Sequence, residues 1–151
     1  MDSMSRRLAA IVLLLPLVAH AGAAMSINVL RARAVTDPHG AIADVRQQLD
    51  RGGASLAPAD ERALLWGMGT AAINADDEAA LAESTLRLDS LGNARGDAVA
   101  LAAAGFLRAR HDVANGIGDG LGEALRAAAR VQGSGDAEIV AWARFQLCDA
   151  Y

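Results

Sequence analysis

The chain has 151 residues, and its 14 basic residues, all of them arginine, are outnumbered by 18 acidic residues, so its formal net charge at pH 7 is −4. This mildly acidic balance argues against a nucleic-acid partner, since contacts with phosphates require a basic face. The single cysteine, Cys148, excludes an intrachain disulfide, and the stability of the fold must come from packing.

The first 24 residues have the pattern of an export signal. Two adjacent arginines form a positive start, and a run of 12 apolar residues, 8–19, follows them. Cleavage is predicted after Ala21 or after Ala23, each of which ends a small-x-small motif. The run is well short of the roughly 20 apolar residues of a spanning helix, which argues against the alternative of a membrane anchor. We take residues 1–21 as the signal peptide and predict an exported, periplasmic protein.

Residues 22–36 are predicted to be either a linker or a short helix. The pair Asp37-Pro38 then gives a strong helix start, because aspartate caps a helix N-terminus and proline suits the first helical position. The apolar residues Ile42, Val45 and Leu49 follow at helical spacing, and Gly52-Gly53 ends the helix. The folded domain is therefore predicted to span residues 37–151.

Residues 58–93 are predicted to form two helices joined by a tight turn. Proline opens the first helix, and its apolar positions recur every three or four residues: Leu64, Leu65, Met68, Ala71 and Ala72. The sequence Asn-Ala-Asp-Asp ends this helix, and Asp76 or Asp77 caps the second one. Gly92 is expected to end the second helix with a left-handed residue.

Three further helices are predicted in the last third of the chain. Asp97 opens an alanine-rich helix to about Ala114, and a glycine-rich loop leads to a helix that starts near Leu121. The last helix is capped by Asp136 and is apolar nearly all round, so we expect it to be buried on more than one side. No alternating strand pattern occurs, so the sequence predicts an all-α fold.

The sequence shows no catalytic constellation and no cofactor or metal motif. The glycines at 116–122 lack the spacing of a dinucleotide loop and the lysine of a phosphate loop. His111-Asp112 could be half of a metal site, but no second ligand stands at a metal-binding spacing, so a surface histidine is favoured. Cys148 has no histidine near it in sequence and is interpreted as a small packing residue. We therefore predict a chain that is not an enzyme and needs neither cofactor nor metal.

Residues 58–151 resemble the tetratricopeptide repeat (TPR), a family of stacked helical hairpins. The family motif has a large residue, then Leu-Gly, a tyrosine three residues later and a small alanine early in the second helix. In the first copy, Trp66 precedes Gly67, Thr70 stands at the tyrosine position and Ala79 is the small residue. In the second copy, Gly105 is the motif glycine and Ala124 is the small residue. The third copy is Leu147-Cys148-Asp149-Ala150-Tyr151, with cysteine in place of the glycine. The resemblance implies antiparallel hairpins that stack as a right-handed solenoid.

In TPR proteins the first helix of each hairpin lines a concave groove. The resemblance therefore implies a protein, a peptide or a small ligand as the partner. The candidate groove residues are Leu64, Met68, Phe106, Arg110, Trp142, Phe145 and Asp149, with Ala71 and Ala102 beside them. The alternative is that these side chains are simply core and are covered by the N-terminal helix.

The chain combines an export signal, an Asp-Pro helix start and helical repeats rich in alanine, leucine and arginine. This combination is similar to the periplasmic sensory region of bacterial diguanylate cyclases of the GGDEF type. This resemblance implies a sensory module followed by a membrane helix and a catalytic domain. Because the last helix carries an apolar face, we expect the natural chain to continue beyond Tyr151 and this form to self-associate there. The alternatives are a free-standing periplasmic scaffold and a small exported all-α enzyme.

Overall fold

The computed structural model describes residues 27–133 and 137–150. Over these residues it has seven α-helices and no β-strand, which confirms the predicted all-α class. The helices are α1 (Ile27–Thr36), α2 (Pro38–Gly52), α3 (Pro58–Ala75), α4 (Glu78–Arg95), α5 (Ala98–Asn115), α6 (Gly120–Gln132) and α7 (Ala137–Ala150). None of them is both long and apolar enough to cross a membrane. The predicted signal peptide, the cap Asp136 and Tyr151 lie outside the described residues.

Aspartate side chains define the starts of four helices. Asp37, Asp77, Asp97 and Asp119 precede α2, α4, α5 and α6, and each carboxylate accepts a hydrogen bond from a backbone N–H in the first turn. Such a cap satisfies a donor that has no partner inside the helix and contributes about 1 kcal/mol. The predicted starts of α2, α4 and α5 are therefore confirmed, with Asp77 rather than Asp76 as the cap of α4.

The predicted end of α4 at Gly92 is wrong. The helix continues to Arg95, and Gly96 is the residue with the left-handed backbone, at φ 65°. Gly92 is buried within α4 where α5 begins: a Cβ atom at residue 92 would lie 3.1 Å from the backbone oxygen of Asp97 and would overlap the side chain of Leu101. This glycine serves the close approach of two helices and not the turn.

Each described helix packs against the next one in the chain, and the odd-numbered helices also pack against one another. Helix α1 contacts α3, α3 contacts α5, and α5 contacts α7. The odd-numbered helices therefore form one row, and α2, α4 and α6 each lie against two members of it. This arrangement is compatible with a helical-repeat fold.

Helix α1 belongs to the packed structure, so residues 27–36 are a helix and not a linker. Leu30 and Ala34 are fully buried. The side-chain amide of Asn74 in α3 donates a hydrogen bond of 2.8 Å to the carbonyl oxygen of Ala34. Helix α1 thus covers one face of α3.

The predicted pairing of Gly67 with Ala79 inside the first hairpin is wrong. Ala79 is exposed, and Gly67 faces α1, where a Cβ atom would overlap Leu30. Gly69 makes the close approach to α4 instead, since a Cβ atom there would lie 2.8 Å from the hydroxyl oxygen of Ser84. Helical spacing places these two glycines on different faces of α3, but it does not say which face meets α1 and which meets α4.

Gly105 is a point of close contact between α5 and α6. A Cβ atom at residue 105 would lie 2.9 Å from the Cβ atom of Ala127, so Ala127, and not the predicted Ala124, is the small residue that faces it. Both alanines are fully buried. The step from Gly69 to Gly105 is 36 residues, nearer to the TPR period of roughly 34 than the 38 residues from Gly67.

The buried apolar side chains form two clusters. The larger cluster extends from α1 to α5, and the smaller one lies between α5, α6 and α7. Trp66 and Trp142 are partly buried and pack against both clusters. The two tryptophans therefore join the halves of the molecule.

Candidate functional site

A groove lies between α1, α3 and α7. Its volume is about 410 Å³, which is within the range of small-ligand pockets in proteins. Helix α1 contributes Arg31, α3 contributes Trp66, and α7 contributes Trp142, Phe145 and Gln146. The groove thus combines three aromatic rings with one cation and one amide.

A cluster of aromatic rings supports the walls of this groove. The centroid of the Trp142 ring lies 5.3 Å from that of Trp66, with an interplanar angle of 73°, and 5.3 Å from that of Phe106, at 89°. Edge-to-face pairs of this kind contribute about 0.5–1.5 kcal/mol each beyond burial. Because Phe106 is only 1% exposed, the cluster anchors Trp142 on the core while part of each tryptophan remains exposed.

Phe145 stands at the rim of the groove, three residues after Trp142. Its side chain is 62% exposed. A single exposed apolar side chain is common, but this one adjoins two partly exposed tryptophans, so the three rings form one apolar surface. Aromatic clusters of this kind are typical of the residues that dominate binding energy.

Gln146 is a buried polar residue of the groove. Its side chain is 6% exposed, and its Oε1 atom has no hydrogen-bond partner among the described residues. A buried acceptor without a donor costs about 1–3 kcal/mol. The groove therefore holds a polar atom that destabilises the free protein, and such an atom calls for a functional explanation.

Arg31 is the cation of the groove. It is exposed, and no hydrogen bond or ion pair joins it to another described residue. Arg33, two residues later, differs: it pairs with Asp37 and Asp44. The hydrogen bond from Arg33 lowers the pKa of Asp37 below its usual range, and the N–H of Gly40 lowers it further. The positive charge of Arg31 is therefore available to a ligand.

Three of the residues predicted to line a TPR groove are core residues. Leu64, Met68 and Phe106 are 7%, 0% and 1% exposed, and the neighbouring Ala71 and Ala102 are fully buried. Leu64 and Met68 belong to the same cluster as Leu30 of α1. The alternative interpretation as core residues therefore fits all of them, but only Leu64, Met68 and Ala71 share a cluster with the N-terminal helix, whereas Phe106 and Ala102 pack between α5, α6 and α7.

The remaining predicted groove residues divide between the observed groove and other places. Trp142 and Phe145 line the groove. Arg110 is half-buried on α5 and is not among the lining residues. The side chain of Asp149 lies outside the described residues.

The sequence analysis missed Arg31, Trp66 and Gln146 as groove residues. Arg31 falls in the segment that was predicted to be either a linker or a helix, and Trp66 was named only as the large residue of the repeat motif. A signal for Gln146 existed, because a glutamine between Phe145 and Leu147 interrupts an apolar helix. Such an interruption is informative, since buried polar side chains are uncommon.

His111, with Asp112 beside it, lies at the edge of an acidic cavity on another part of the surface. His111 Nδ1 is 3.4 Å from Asp112 Oδ1, and His111 lines a cavity of about 240 Å³ together with Asp76, Asp77 and Glu78. In the described part of the chain, no group of three or more His, Cys, Asp or Glu side chains is arranged to hold a metal ion. The acidic groups serve the turn between α3 and α4, where Asp77 is the N-cap.

Cys148 was interpreted as a small packing residue, and this interpretation is wrong. Its side chain is exposed. The preceding residue, Leu147, is partly buried against the smaller cluster, so the two neighbours point to different faces of α7. Among the described helices, none packs on the face that carries the cysteine.

Comparison of the chain with protein-family models, with curated proteins and with solved structures finds no match. No relative therefore supplies a ligand or an activity that could be transferred to the groove. The functional conclusion has to come from the residues that line it.

Proposed function

We propose that the chain is a non-enzymatic binding module of an exported protein. In this proposal its TPR-like helical hairpins take up a protein, a peptide or a small ligand in the groove between α1, α3 and α7. The proposal rests on the placement of Trp66, Trp142 and the exposed Phe145 around one cavity. Beside them lies Arg31, which forms no hydrogen bond or ion pair with another described residue.

Within this proposal, the module is the periplasmic sensory region of a signalling protein of the diguanylate cyclase type. The export-signal pattern of the first 24 residues and the repeated Asp-capped helices support that assignment. A ligand in the groove would contact α1, α3 and α7 together. Its binding energy would therefore act on the relative positions of helices at both ends of the row.

Ligand screening with a rim variant tests the binding function. Both tryptophans of the chain line the groove, so peptide and small-molecule collections can be screened by tryptophan emission, with hits confirmed by calorimetry. Phe145→Ala should weaken the binding of hits about tenfold, a loss of about 1.4 kcal/mol, because aromatic contact residues carry much of the binding energy of such sites. Since Phe145 is exposed, the variant should fold normally.

Leu86→Ala is the matched control. Leu86 is 68% exposed on α4 and does not line the groove, so this variant should bind every hit as the parent chain does. If neither collection yields a ligand, or if the hits bind Phe145→Ala undiminished, the groove is not the binding site.

A reporter fusion tests the export part of the proposal. The whole chain fused to alkaline phosphatase, which is active only outside the bacterial cytoplasm, should give an active reporter. Leu14→Arg places a charge in the apolar run and should abolish that activity. An inactive parent fusion, or an active Leu14→Arg fusion, would contradict export by this segment.

A further inference from the structure

We propose that the groove recognises a small organic carboxylate that has an apolar, preferably aromatic, body and an amide N–H next to the carboxylate. This inference rests on the proposed function, since it takes the groove as the binding site. It is carried by three features of the lining: the available cation, the aromatic walls and the buried amide oxygen without a donor.

The charge of the groove selects an anion. A guanidinium presents N–H donors in a planar fork that matches a carboxylate. Arg31 has no described partner that would compete for these donors. The aromatic rings alone would also suit a quaternary ammonium group through cation–π contacts, but the like charge of Arg31 in the same groove opposes such a ligand.

The walls of the groove select the body of the ligand. Trp66 and Trp142 meet edge to face, so they leave a corner between two flat surfaces, and Phe145 stands exposed at its rim. A flat ring can contact both surfaces at once, because offset and edge-to-face contacts are the preferred aromatic geometries. A volume of about 410 Å³ suits a compact molecule.

Gln146 selects a donor on the ligand. Its Oε1 atom is buried without a hydrogen-bond partner among the described residues, and an amide oxygen accepts hydrogen bonds but cannot donate them. We assign this atom to an N–H group of the ligand. Because a site built around an unpaired acceptor discriminates strongly against ligands that lack the donor, the amide N–H should matter as much as the charge.

Titrations with three defined probes test the inference. N-acetyl-L-phenylalanine carries the ring, the amide N–H and the carboxylate; N-acetyl-L-phenylalaninamide lacks the charge; 3-phenylpropanoate lacks the N–H. None of them contains a tryptophan, so the emission of Trp66 and Trp142 reports binding directly. The N-acetyl acid should bind saturably, and each of the other two probes should bind about tenfold more weakly or worse.

Two variants connect each preference to its residue. Arg31→Gln should weaken the N-acetyl acid about tenfold and leave the neutral amide unchanged, whereas Gln146→Met should remove the advantage of the N-acetyl acid over 3-phenylpropanoate. Arg95→Gln is the matched control for charge, since Arg95 is also exposed but lies on α4, away from the groove lining. Circular dichroism should be the same for the parent chain and all three variants.

The outcomes separate the ligand class from the binding function. Equal binding of the N-acetyl acid and its amide, or no effect of Arg31→Gln, would overturn the carboxylate assignment while the groove remained a binding site. No response to any of the three probes would overturn the ligand class. The proposed function would then depend on the separate screen with Phe145→Ala, and a ligand from that screen would preserve it.

Discussion

At the scale of single residues, the buried amide of Gln146 is a local cost to the stability of the fold. The side chain of Gln146 is only 6% exposed, and its amide oxygen has no hydrogen-bond partner among the described residues. A buried acceptor of this kind lowers the stability of the free protein. The N–H group of the proposed ligand would supply the missing donor.

We predict that Gln146→Met stabilises the ligand-free chain. The change removes an unsatisfied acceptor and keeps the length of the side chain, so the free energy of unfolding in urea should rise by about 1–2 kcal/mol. Gln47→Met, at an exposed position on α2, should change it by no more than about 0.5 kcal/mol. A loss of stability in Gln146→Met would show that the amide is satisfied in solution.

Asp37 should make the junction of α1 and α2 sensitive to acid. Its pKa is lowered in the folded chain, first by the hydrogen bond from Arg33 and then by the N–H of Gly40. A carboxylate with a lowered folded pKa contributes stability above its unfolded pKa of about 3.9, and this contribution is lost as the pH falls through the folded pKa. Asp37→Asn should keep the helix cap but lose the charge.

Urea denaturation at about pH 6 and about pH 3 checks this prediction. The parent chain should exceed Asp37→Asn in midpoint at the higher pH, and the difference should shrink at the lower pH, which lies below the pKa of the carboxyl group in the unfolded chain. A difference of equal size at both pH values would contradict a role for the charge.

At the scale of the helices, starts are predictable from sequence and contacts between faces are not. An aspartate cap accepts hydrogen bonds from N–H groups two or three residues away, so the local sequence is enough to predict the caps Asp37, Asp77 and Asp97. Gly92 and Gly96 carry the same local signal for a helix end. What separates them is the approach of α5 to Gly92, which depends on tertiary packing.

The same limit explains the candidate site. Helical spacing placed Leu64 and Met68 on one face of α3, which is correct, but that spacing cannot say that α1 covers the face. The groove joins Arg31 to residues of α7, more than 100 positions later. No pattern within one helix predicts that these residues meet, and of the predicted groove residues only Trp142 and Phe145 are among the residues that line the observed groove.

We predict that Gly105→Val separates α5 from α6. A Cβ atom at this position would lie 2.9 Å from the Cβ atom of Ala127, so the larger side chain forces two closely packed helices apart. Overpacking of this kind costs about 1–3 kcal/mol in the free energy of unfolding, which urea denaturation measures.

Gly133→Val is the control for this substitution. A Cβ atom at Gly133 would meet no atom of the described residues within 4 Å, and its φ of −87° suits an ordinary residue. We expect a change of no more than about 0.5 kcal/mol there. Equal effects at both glycines would mean that the α5–α6 contact is not as close in solution.

At the scale of the whole molecule, the two apolar clusters are joined through few side chains. The larger cluster is centred on α2, α3 and α4, and the smaller one on α5, α6 and α7, although α5 contributes to both. Trp66 and Trp142 pack against both clusters and also line the groove. A ligand that contacts these tryptophans is therefore placed to couple the halves.

We predict that each half can be loosened separately. Val131 on α6 and Val45 on α2 are both fully buried, each in a different cluster, so Val131→Ala and Val45→Ala form a matched pair. Each should cost about 1–3 kcal/mol, because deleting buried methyl groups loses burial and leaves a cavity. In helical arrays whose elements contact mainly their neighbours, such a loss stays close to its origin.

Native-state hydrogen exchange decides whether the halves respond independently. Val131→Ala should speed amide exchange in α6 and α7 while α2 and α3 keep their protection, and Val45→Ala should do the reverse. A saturating concentration of N-acetyl-L-phenylalanine should reduce this difference in exchange between the halves. A molecule held by α1, α3 and α7 opposes local opening on either side. Uniform acceleration of exchange in both variants would instead mean one cooperative core, and the row of helices would then transmit a binding event as a single rigid unit.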